Sequence, residues 1–249
     1  MLEVKNLSFS YDKKNKVLDD ISFSINDGSI VGILGKNGVG KTTLMKAILG
    51  LNKGASGDIL IDNVNLKGLK DSERSKLIGY VPQKIEFSNS TVFDAILIGR
   101  RPYFKLEPSS LDLKIVDEII NDLSLDKIAF KSVNNLSGGE MQKVAIARSL
   151  AQKTKILYLD EPTSSLDINN QIEVLDLITK VTKKSNLITL INIHDLNLAL
   201  KYFDYLIILK DSKIIKDTSK DELTKDDIMD AFNVKAKIIE YDNKKHIII

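Results

Sequence analysis

The chain has 249 residues, 43% of them hydrophobic, so its length allows one large or two modest domains with a sizeable core. A formal net charge of +2, with basic and acidic residues interleaved, argues against nucleic-acid binding, and the absence of cysteine excludes disulfides and thiolate metal sites. The N-terminus lacks the layout of a signal peptide and no apolar run approaches the roughly 18 residues of a membrane span, so we expect any membrane role to come through a partner.

Short apolar runs alternate with stretches of helical spacing along most of the chain. Strands are predicted at 2–11, 18–25, 29–34, 58–61, 77–81, 155–159, 186–193, 205–210, 213–217 and 236–249, the last as a hairpin around Asp242-Asn243. Helices are predicted at 42–49, 91–99, 111–123, 137–151, 172–181 and 221–232. This alternation favours an α/β fold with a mainly parallel sheet and a small antiparallel β region at the N-terminus.

Residues 84–155 contain no convincing strand. We interpret them as an all-helical insertion between two strands of one sheet. Its main internal loop is predicted at 101–110, where proline and serine interrupt the helical spacing.

A glycine-rich loop at 35–43 fits the pattern G-x-x-x-x-G-K-[ST], which cradles phosphates. An apolar run typical of a buried strand precedes the loop and helix-forming residues follow it, as the pattern requires. Glycines let successive N–H groups point at phosphate oxygens, while Lys41 supplies a cation for the β- and γ-phosphates and Thr42 a hydroxyl for Mg²⁺. The loop is therefore predicted to bind a nucleoside triphosphate. The predicted nucleotide-binding residues of the loop are Gly35, Asn37, Gly38, Gly40, Lys41, Thr42 and Thr43.

Two carboxylates, Asp160 and Glu161, end another apolar run. Beside a triphosphate loop, we expect Asp160 to hold Mg²⁺ or its waters and Glu161 to polarise the water that attacks the γ-phosphate. The alternative is a strand that ends in two solvated acids.

The stretch 136–140 has the Ser-x-x-Glu spacing of a capping box, which predicts that a helix begins at Ser137. Gly138 and Gly139 in its first turn each cost about 1 kcal/mol in helix propensity, which is understandable if bare N–H groups approach an anion. One triphosphate cannot lie in both phosphate-binding elements of a rigid monomer, so we expect two copies packed head to tail. An ordinary capped helix is the alternative, but it does not account for the two glycines.

The phosphate loop, the stretch 136–140 and the strand that ends at Asp160 resemble the ATP-binding subunit of an ABC transporter, in that family's order and at its usual distances. The resemblance covers essentially the whole chain. It implies a P-loop NTPase fold, hydrolysis of ATP with Mg²⁺, and a homodimer in which Ser137, Gly138 and Gly139 of one copy complete the site of the other.

The resemblance also implies roles for residues outside these motifs. Tyr11 matches the aromatic residue that stacks on adenine, and Gln83 matches the glutamine that meets Mg²⁺ and the attacking water. His194 matches the switch residue that contacts the γ-phosphate, and the stretch 164–167, which ends in Asp167, matches the loop that touches the opposite subunit. From the residues alone, packing, a polar turn, a structural histidine and a helix cap are the respective alternatives.

The stretches 90–95 and 99–103 resemble the helical subdomain of importers for iron–siderophore complexes, haem and cobalamin. This implies coupling to integral membrane permease subunits, an extracytoplasmic substrate-binding protein in the full system, and a peripheral position on the cytoplasmic face of the membrane. An alternative for Arg100-Arg101 is a pair of cations at a helix C-terminus. For the whole chain, the alternative is a soluble ATPase of the same superfamily, such as one of the iron–sulfur assembly type.

The implied organisation is one ABC-type ATPase domain over 1–249. Its nucleotide-binding α/β core is expected at 1–83 and 156–220, and its helical subdomain with the signature motif at 84–155. A C-terminal helix and hairpin are expected at 221–249.

Overall fold

The structure is a computed structural model that describes residues 1–12, 15–104, 106–242 and 244–249. Its strands are β1 (Leu2–Ser10), β2 (Lys16–Ile25), β3 (Ile30–Leu34), β4 (Ser56–Ile61), β5 (Val64–Asn65), β6 (Ile78–Val81), β7 (Ile156–Asp160), β8 (Ile188–Asn192), β9 (Tyr205–Lys210), β10 (Lys213–Ser219), β11 (Lys237–Tyr241) and β12 (Lys244–Ile248). Its α-helices are α1 (Lys41–Ile48), α2 (Asp71–Arg74), α3 (Val92–Leu97), α4 (Ser110–Asp122), α5 (Gly138–Ala151), α6 (Ile168–Ser185), α7 (Leu196–Tyr202) and α8 (Lys225–Phe232). Short 3₁₀ helices lie at Ile98–Tyr103, Asp126–Ile128, Val133–Asn135 and Lys220–Glu222.

The chain divides into two compact units. The first comprises Met1–Leu69 and Thr182–Ile249, and the second comprises Lys70–Val181. The finer division at 84–155 and 221–249 stays a prediction. Within the described ranges, none of the helices combines the length and the apolar character that crossing a membrane requires.

An antiparallel sheet in the first unit has the strand order β2-β1-β4-β5. β1 is central, because Leu2 pairs both with Ile25 of β2 and with Ile61 of β4. Burial alternates along β1, and an irregularity between Val4 and Leu7 shifts the alternation by one residue. Alternating burial is the pattern of a sheet with one face against the core. The antiparallel region predicted at the N-terminus is confirmed.

The same unit contains parallel strands that carry the phosphate loop. β3 lies between β8 and β9 and runs parallel to both. Every residue of β3 and of β8 is buried, as expected for strands covered on both faces. β10 returns antiparallel to β9 through Asp211 and Ser212, whose φ angles of 46° and 66° suit a tight hairpin turn. The predicted α/β fold with a mainly parallel sheet is confirmed.

In the second unit, β6 pairs in parallel with β7, and the helices α3, α4 and α5 pack around an apolar core. Val92 of α3, Val116 of α4 and Val144 of α5 are all fully buried there. Among the described residues between 84 and 155 there is no strand, and the isolated bridge between Thr91 and Ser132 is the only β-type pairing. The prediction of an all-helical stretch is confirmed.

Capping boxes define the starts of α3, α4, α5 and α8. In each, the N-cap hydroxyl accepts the N–H of the third helical residue, whose carboxylate accepts the N–H of the N-cap in return. The pairs are Thr91–Asp94, Ser109–Asp112, Ser137–Glu140 and Thr224–Asp227. α5 follows Ser137 and ends at Ala151, as predicted.

The prediction of a loop from residue 101 onward was wrong at its start, because Ile98–Tyr103 is a 3₁₀ helix. A buried ion pair holds this segment. Arg100 Nε donates to Asp112 Oδ1 at 2.9 Å and Arg100 Nη1 donates to Ala151 O at 2.8 Å, in the last turn of α5. A buried guanidinium requires such partners, which tie the 3₁₀ helix to α4 and α5.

Further elements differ from the predictions. β5 was not predicted, and α6 spans Ile168–Ser185 where a helix was predicted at 172–181. The short helices α2 and α7 were not predicted, and α8 begins at Lys225 instead of residue 221 because Thr224 is its N-cap. The C-terminal hairpin is confirmed as β11 and β12. In its predicted turn, Asp242 has a φ of 51°, and Asn243 lies outside the described residues.

Candidate active site

The path of the phosphate loop depends on its glycines. Gly35, Gly38 and Gly40 have φ angles of 144°, 80° and 113°, which side chains rarely allow. A Cβ added at Gly35 would lie 2.5 Å from Leu209 O, and one at Gly40 would lie 2.8 Å from Val17 O. The loop therefore follows a course that only glycine permits beside the neighbouring backbone.

The N-terminus of α1, the helix that follows the loop, has features that favour anion binding. α1 has neither a side-chain cap on its N-terminus nor an acidic residue in its first turn, in contrast to the helices with capping boxes. The ammonium of the buried Lys41 donates to Gly35 O at 2.6 Å and to Lys36 O at 3.0 Å, so its charge is directed into the loop. The positive end of the helix dipole and this cation act in the same place, which favours a phosphate group.

Tyr11 presents an exposed ring beside the loop. Its side chain is 65% exposed, its hydroxyl lies 3.4 Å from Thr43 Oγ1, and Phe9 packs edge-on against its ring at a centroid distance of 4.9 Å. An exposed ring that is held in this way offers a face for stacking. Two further residues of the loop that are predicted to bind the nucleotide, Asn37 and Thr42, are exposed.

His194 follows a strand next to the one that leads into the loop. Ile33 of β3 pairs with Asn192 of β8 in parallel register, so Gly35 and His194 both follow the carboxyl ends of adjacent strands. His194 is exposed, and the next residue, Asp195, caps α7 through the N–H groups of Asn197 and Leu198 at 2.8 and 3.0 Å. Within the first unit, the structure thus brings His194 to the loop's edge of the sheet.

The second unit brings together Gln83 and Glu161. Val81 of β6 lies opposite Leu159 of β7 in a parallel pair, so both side chains follow carboxyl ends of neighbouring strands. Gln83 Nε2 donates to Glu161 Oε2 at 2.7 Å. Glu161 has a left-handed φ of 46°, an uncommon conformation for a glutamate and one that is often found at functional sites.

Asp160 is the last residue of β7 and is partly exposed. On the neighbouring strand β6, burial raises the pKa of Tyr80 to about 12. The negative charge of the Asp160 carboxylate adds to that shift. A carboxylate therefore stands at the strand end where the sequence predicts a magnesium ligand.

The start of α5 is closed by its own capping box. Ser137 N donates to Glu140 Oε2 at 2.8 Å, and Glu140 N donates to Ser137 Oγ at 3.3 Å. The hydrogen bonds from the Ser137 backbone and hydroxyl hold the pKa of Glu140 below its usual range. The predicted capping pair is confirmed at the level of individual atoms.

The two glycines of α5 have different surroundings. A Cβ added at Gly139 would overlap Asn170 Oδ1, whereas one at Gly138 would make an ordinary 3.5 Å contact with Leu166 Cδ2. Because α6 packs closely against this turn, a side chain at position 139 would overlap Asn170. This is a structural reason for glycine there that the sequence alone did not reveal. An anion-binding role for the two glycines stays a prediction.

Asp167 has the arrangement of a helix cap. Its carboxylate accepts the Asn170 N–H at 2.9 Å and the Asn170 side-chain amide at 2.8 Å, directly before α6. These hydrogen bonds, the backbone one first, hold the pKa of Asp167 below its usual range. Sequence reasoning missed Asn170, although the Asp-x-x-Asn spacing at a helix start could have indicated it.

The predicted magnesium ligands fit that ion by chemistry. Thr42, Gln83 and Asp160 offer a hydroxyl, an amide and a carboxylate oxygen, and Mg²⁺ prefers oxygen donors with one or two carboxylates plus substrate phosphates. Thr42 lies in the first unit, and the other two lie in the second.

A strand–glycine loop–helix element with an uncapped helix start defines a P-loop nucleotide-binding protein. The profile of the ABC transporter family matches residues 18–164. A Helicobacter pylori (strain ATCC 700392 / 26695) protein named probable iron chelatin transport ATP-binding protein is 39% identical over 249 residues, covering 98% of this chain and 97% of the relative. The chain therefore belongs to the family of ABC transporter ATP-binding proteins, whose members are ATPases that use ATP with Mg²⁺, and the resemblance found in the sequence is confirmed.

Two solved structures share this fold. One is a transporter assigned to the metal-chelate type in an inward-facing conformation, with a TM-score of 0.84 and 28% identity over 99% of this chain and 95% of that one. The other is a dimeric ATP-binding cassette in a post-hydrolysis state, bound to ADP and Pi. It has a TM-score of 0.74 and 28% identity over 88% of this chain and 99% of that one.

Proposed function

We propose that this chain hydrolyses ATP to power an importer of metal chelates, such as iron–siderophore complexes, haem or cobalamin. The 2.7 Å hydrogen bond between Gln83 and Glu161 carries the catalytic part, because it holds a carboxylate in place at the edge where parallel strands end. The names of the Helicobacter pylori relative and of the metal-chelate-type transporter support the substrate class.

Binding of the nucleotide falls to the first unit. Tyr11 stacks on the adenine, and the loop N–H groups and the Lys41 ammonium bind the phosphate oxygens. His194 contacts the γ-phosphate. Support comes from the uncapped start of α1, the direction of the Lys41 ammonium and the exposed Tyr11 ring.

The chemical step falls to Glu161. Its carboxylate takes a proton from a water molecule while that water's oxygen bonds to the γ-phosphorus. The bond from the γ-phosphorus to the bridging oxygen breaks, and ADP leaves with the electron pair. Gln83 keeps the Glu161 carboxylate in position through the donated hydrogen bond. Thr42, Gln83 and Asp160 would hold Mg²⁺, which neutralises charge on the phosphate oxygens when it is bound.

The proposed working form is a homodimer that sandwiches two nucleotides. Ser137, Gly138 and Gly139 of one copy complete the site of the other, and Asp167 lies at the contact between copies. The solved dimeric cassette with ADP and Pi supports this assembly. ATP bridges the copies, and loss of the γ-phosphate releases them.

Replacing Glu161 by glutamine tests the catalytic and the assembly parts together. Glu161→Gln removes the base but keeps the size of the side chain, so phosphate release is expected to fall about 10²–10⁴-fold while ATP binding persists. With ATP, this variant is expected to run as a dimer in size-exclusion chromatography. Glu118→Gln, which changes an exposed glutamate on α4, is the control and should behave like wild type.

The outcomes separate the two parts. Unchanged phosphate release by Glu161→Gln would reject Glu161 as the base. A strictly monomeric Glu161→Gln protein with bound ATP, or a wild-type turnover per chain that does not rise with protein concentration, would reject the shared site.

Coupling to membrane permeases, an extracytoplasmic binding protein and a peripheral cytoplasmic position belong to the same proposal. The test is uptake of a ferric siderophore, haem and cobalamin by cells that lack this chain. We expect uptake of one class to be lost, and to be restored by wild type but not by Glu161→Gln. Undiminished uptake of all three chelates, with ATPase activity intact, would instead favour a soluble ATPase of the superfamily.

A further inference from the structure

The C-terminal hairpin is joined to α7 by a two-way amide contact. Asn197 Nδ2 donates to Ile247 O at 3.0 Å, and Ile247 N donates to Asn197 Oδ1 at 2.8 Å. One side chain thus binds both backbone groups of a single residue on β12, as a neighbouring strand would. It covers the outer edge of the hairpin at this residue.

Further contacts of β12 lie at this place, and in one of them the Lys245 ammonium donates to Asp221 O. Ile247 is 5% exposed, which makes its side chain the apolar anchor of β12. Beside it, a cavity of about 380 Å³ lies between α7 and the hairpin, with Leu198, Lys201, Lys245 and His246 among its lining residues. The Asn197 amide, the Ile247 side chain and the Lys245 ammonium therefore all contribute to the docking.

The docking point is close to His194 along the chain. Asn197 lies in the first turn of α7, and its N–H is bound by Asp195, the residue after His194. α7 has only seven residues, so its first turn has little helix behind it to hold it in place. If the hairpin displaces Asn197, the backbone at Asp195 and His194 is therefore displaced with it.

We propose that Asn197 is a positioning residue for His194, and that the C-terminal hairpin sets the placement of His194 by holding the start of α7. The catalytic part of this inference rests on the proposed function, in which His194 contacts the γ-phosphate. The hairpin is then a part of the ATPase site and not only an extension of the sheet.

Histidine NMR tests the positioning directly, because the chain has two histidines, His194 and His246, one at each end of the proposed link. In ¹⁵N-histidine-labelled protein, the two ring signals are assigned with His246→Gln. Asn197→Leu removes both hydrogen bonds and should shift both signals. Lys225→Gln, which changes an exposed side chain on α8, is the control and should leave the His194 signal in place.

The NMR result overturns the proposal if Asn197→Leu shifts the His246 signal and leaves that of His194 unchanged, because the hairpin would then be released without effect on the site. If Asn197→Leu does not fold, Ile247→Ala replaces it, since it removes the apolar anchor and leaves Asn197 intact. The same pair of shifts is expected, and the same pattern overturns the proposal.

Kinetics test the catalytic consequence. Asn197→Leu should lower kcat for ATP hydrolysis by about tenfold through misplacement of His194, with KM changed less than twofold. In a His194→Ala background, Asn197→Leu should cause no further loss, since the two residues act as one unit. An equal loss of kcat in both backgrounds would overturn the proposal. A wild-type kcat for His194→Ala would instead remove His194 from the proposed function. The NMR result would then still decide whether the hairpin positions His194.

Discussion

Gln83 and Glu161 are 78 residues apart in the chain, and the Gln83 amide donates to the Glu161 carboxylate at 2.7 Å. The contact exists because β6 and β7 are parallel neighbours that end at the same edge. A glutamine and a glutamate that the sequence connected only through a family resemblance are thus direct partners. Variants of either residue are expected to affect the same step.

Removing the Gln83 amide should impair the chemical step more than nucleotide binding. Gln83→Leu leaves the Glu161 carboxylate without this hydrogen bond, and we expect kcat to fall about 10- to 100-fold with little change in the Kd for ATP. Phosphate release and ATP titration measure the two quantities. Lys84→Gln, which alters the adjacent and 88% exposed side chain, is the control. A wild-type kcat for Gln83→Leu would show that the hydrogen bond is not used in catalysis.

Tyr11 is predicted to act through its ring and not through its hydroxyl. At 3.4 Å, the contact of its hydroxyl with Thr43 is at the long limit for a hydrogen bond. Tyr11→Ala should weaken ATP binding by about 1–3 kcal/mol, the range for loss of one stacked base, whereas Tyr11→Phe should bind like wild type. Isothermal titration with ATP distinguishes the two variants. Equal losses in Tyr11→Ala and Tyr11→Phe would contradict stacking.

Gly139 has two competing explanations, anion binding and close packing, and a double variant separates them. Gly139→Ala should lower both stability and turnover, because its methyl group would displace the Asn170 side chain that holds Asp167. Adding Asn170→Ala removes the overlap and should recover part of the stability. Under the shared-site proposal, turnover stays low, since the methyl group still stands where the partner's phosphate binds.

Gly138→Ala is the matched control for stability, because its methyl group meets only an ordinary contact. Thermal unfolding and phosphate release are measured for all variants. Full recovery of turnover in the double variant would mean that Gly139 serves packing alone.

Acid should destabilise the protein through its helix caps. Hydrogen bonds from Ser109, Ser137 and Asn170 lower the folded-state pKa of Asp112, Glu140 and Asp167, respectively. Because its folded-state pKa is lowered, each ionised carboxylate stabilises the fold at pH values above its unfolded-state pKa. The unfolded-state pKa is near 3.8 for aspartate and 4.5 for glutamate. The stabilisation is lost as the pH falls through the folded-state pKa.

The contribution of these three carboxylates to the free energy of unfolding should therefore be nearly constant above about pH 5. It should decrease as the pH falls below that value. Urea titrations between pH 3 and pH 7 measure the curve. Glu140→Gln, which cannot ionise, should reduce the slope on the acid side relative to wild type. An unchanged acid slope in Glu140→Gln would rule out this cap as a source of the pH dependence.

Most secondary structure followed from short-range signals. Continuous apolar runs predicted β3, β7 and β8, because strands covered on both faces need no polar alternation. The Ser-x-x-Glu spacing predicted the start of α5, because the two groups of a capping box are neighbours in sequence. α7 was missed because seven residues are too few for a helical period to stand out.

Within the site, motif residues were predictable and their partners were not. Asn197 carries contacts in the structure, but a lone asparagine has no pattern that distinguishes it from a surface residue. Asn170 differs, because its spacing from Asp167 at a helix start could have indicated it. Arg100, which the sequence allowed as one of a pair of cations at a helix C-terminus, is buried against Asp112, and its sequence neighbours do not indicate that partner.

The sequence by itself determined that the chain has a phosphate-binding loop, an acidic strand end and a capped glycine-bearing helix start, because each of these lies within a few consecutive residues. Only the tertiary structure decided which of their side chains meet. Parallel strand pairing sets Gln83 against Glu161, helix packing sets Asn170 against Gly139, and strand docking sets Ile247 against Asn197. These contacts depend on how distant segments pack, and a pattern of neighbouring residues does not contain that information.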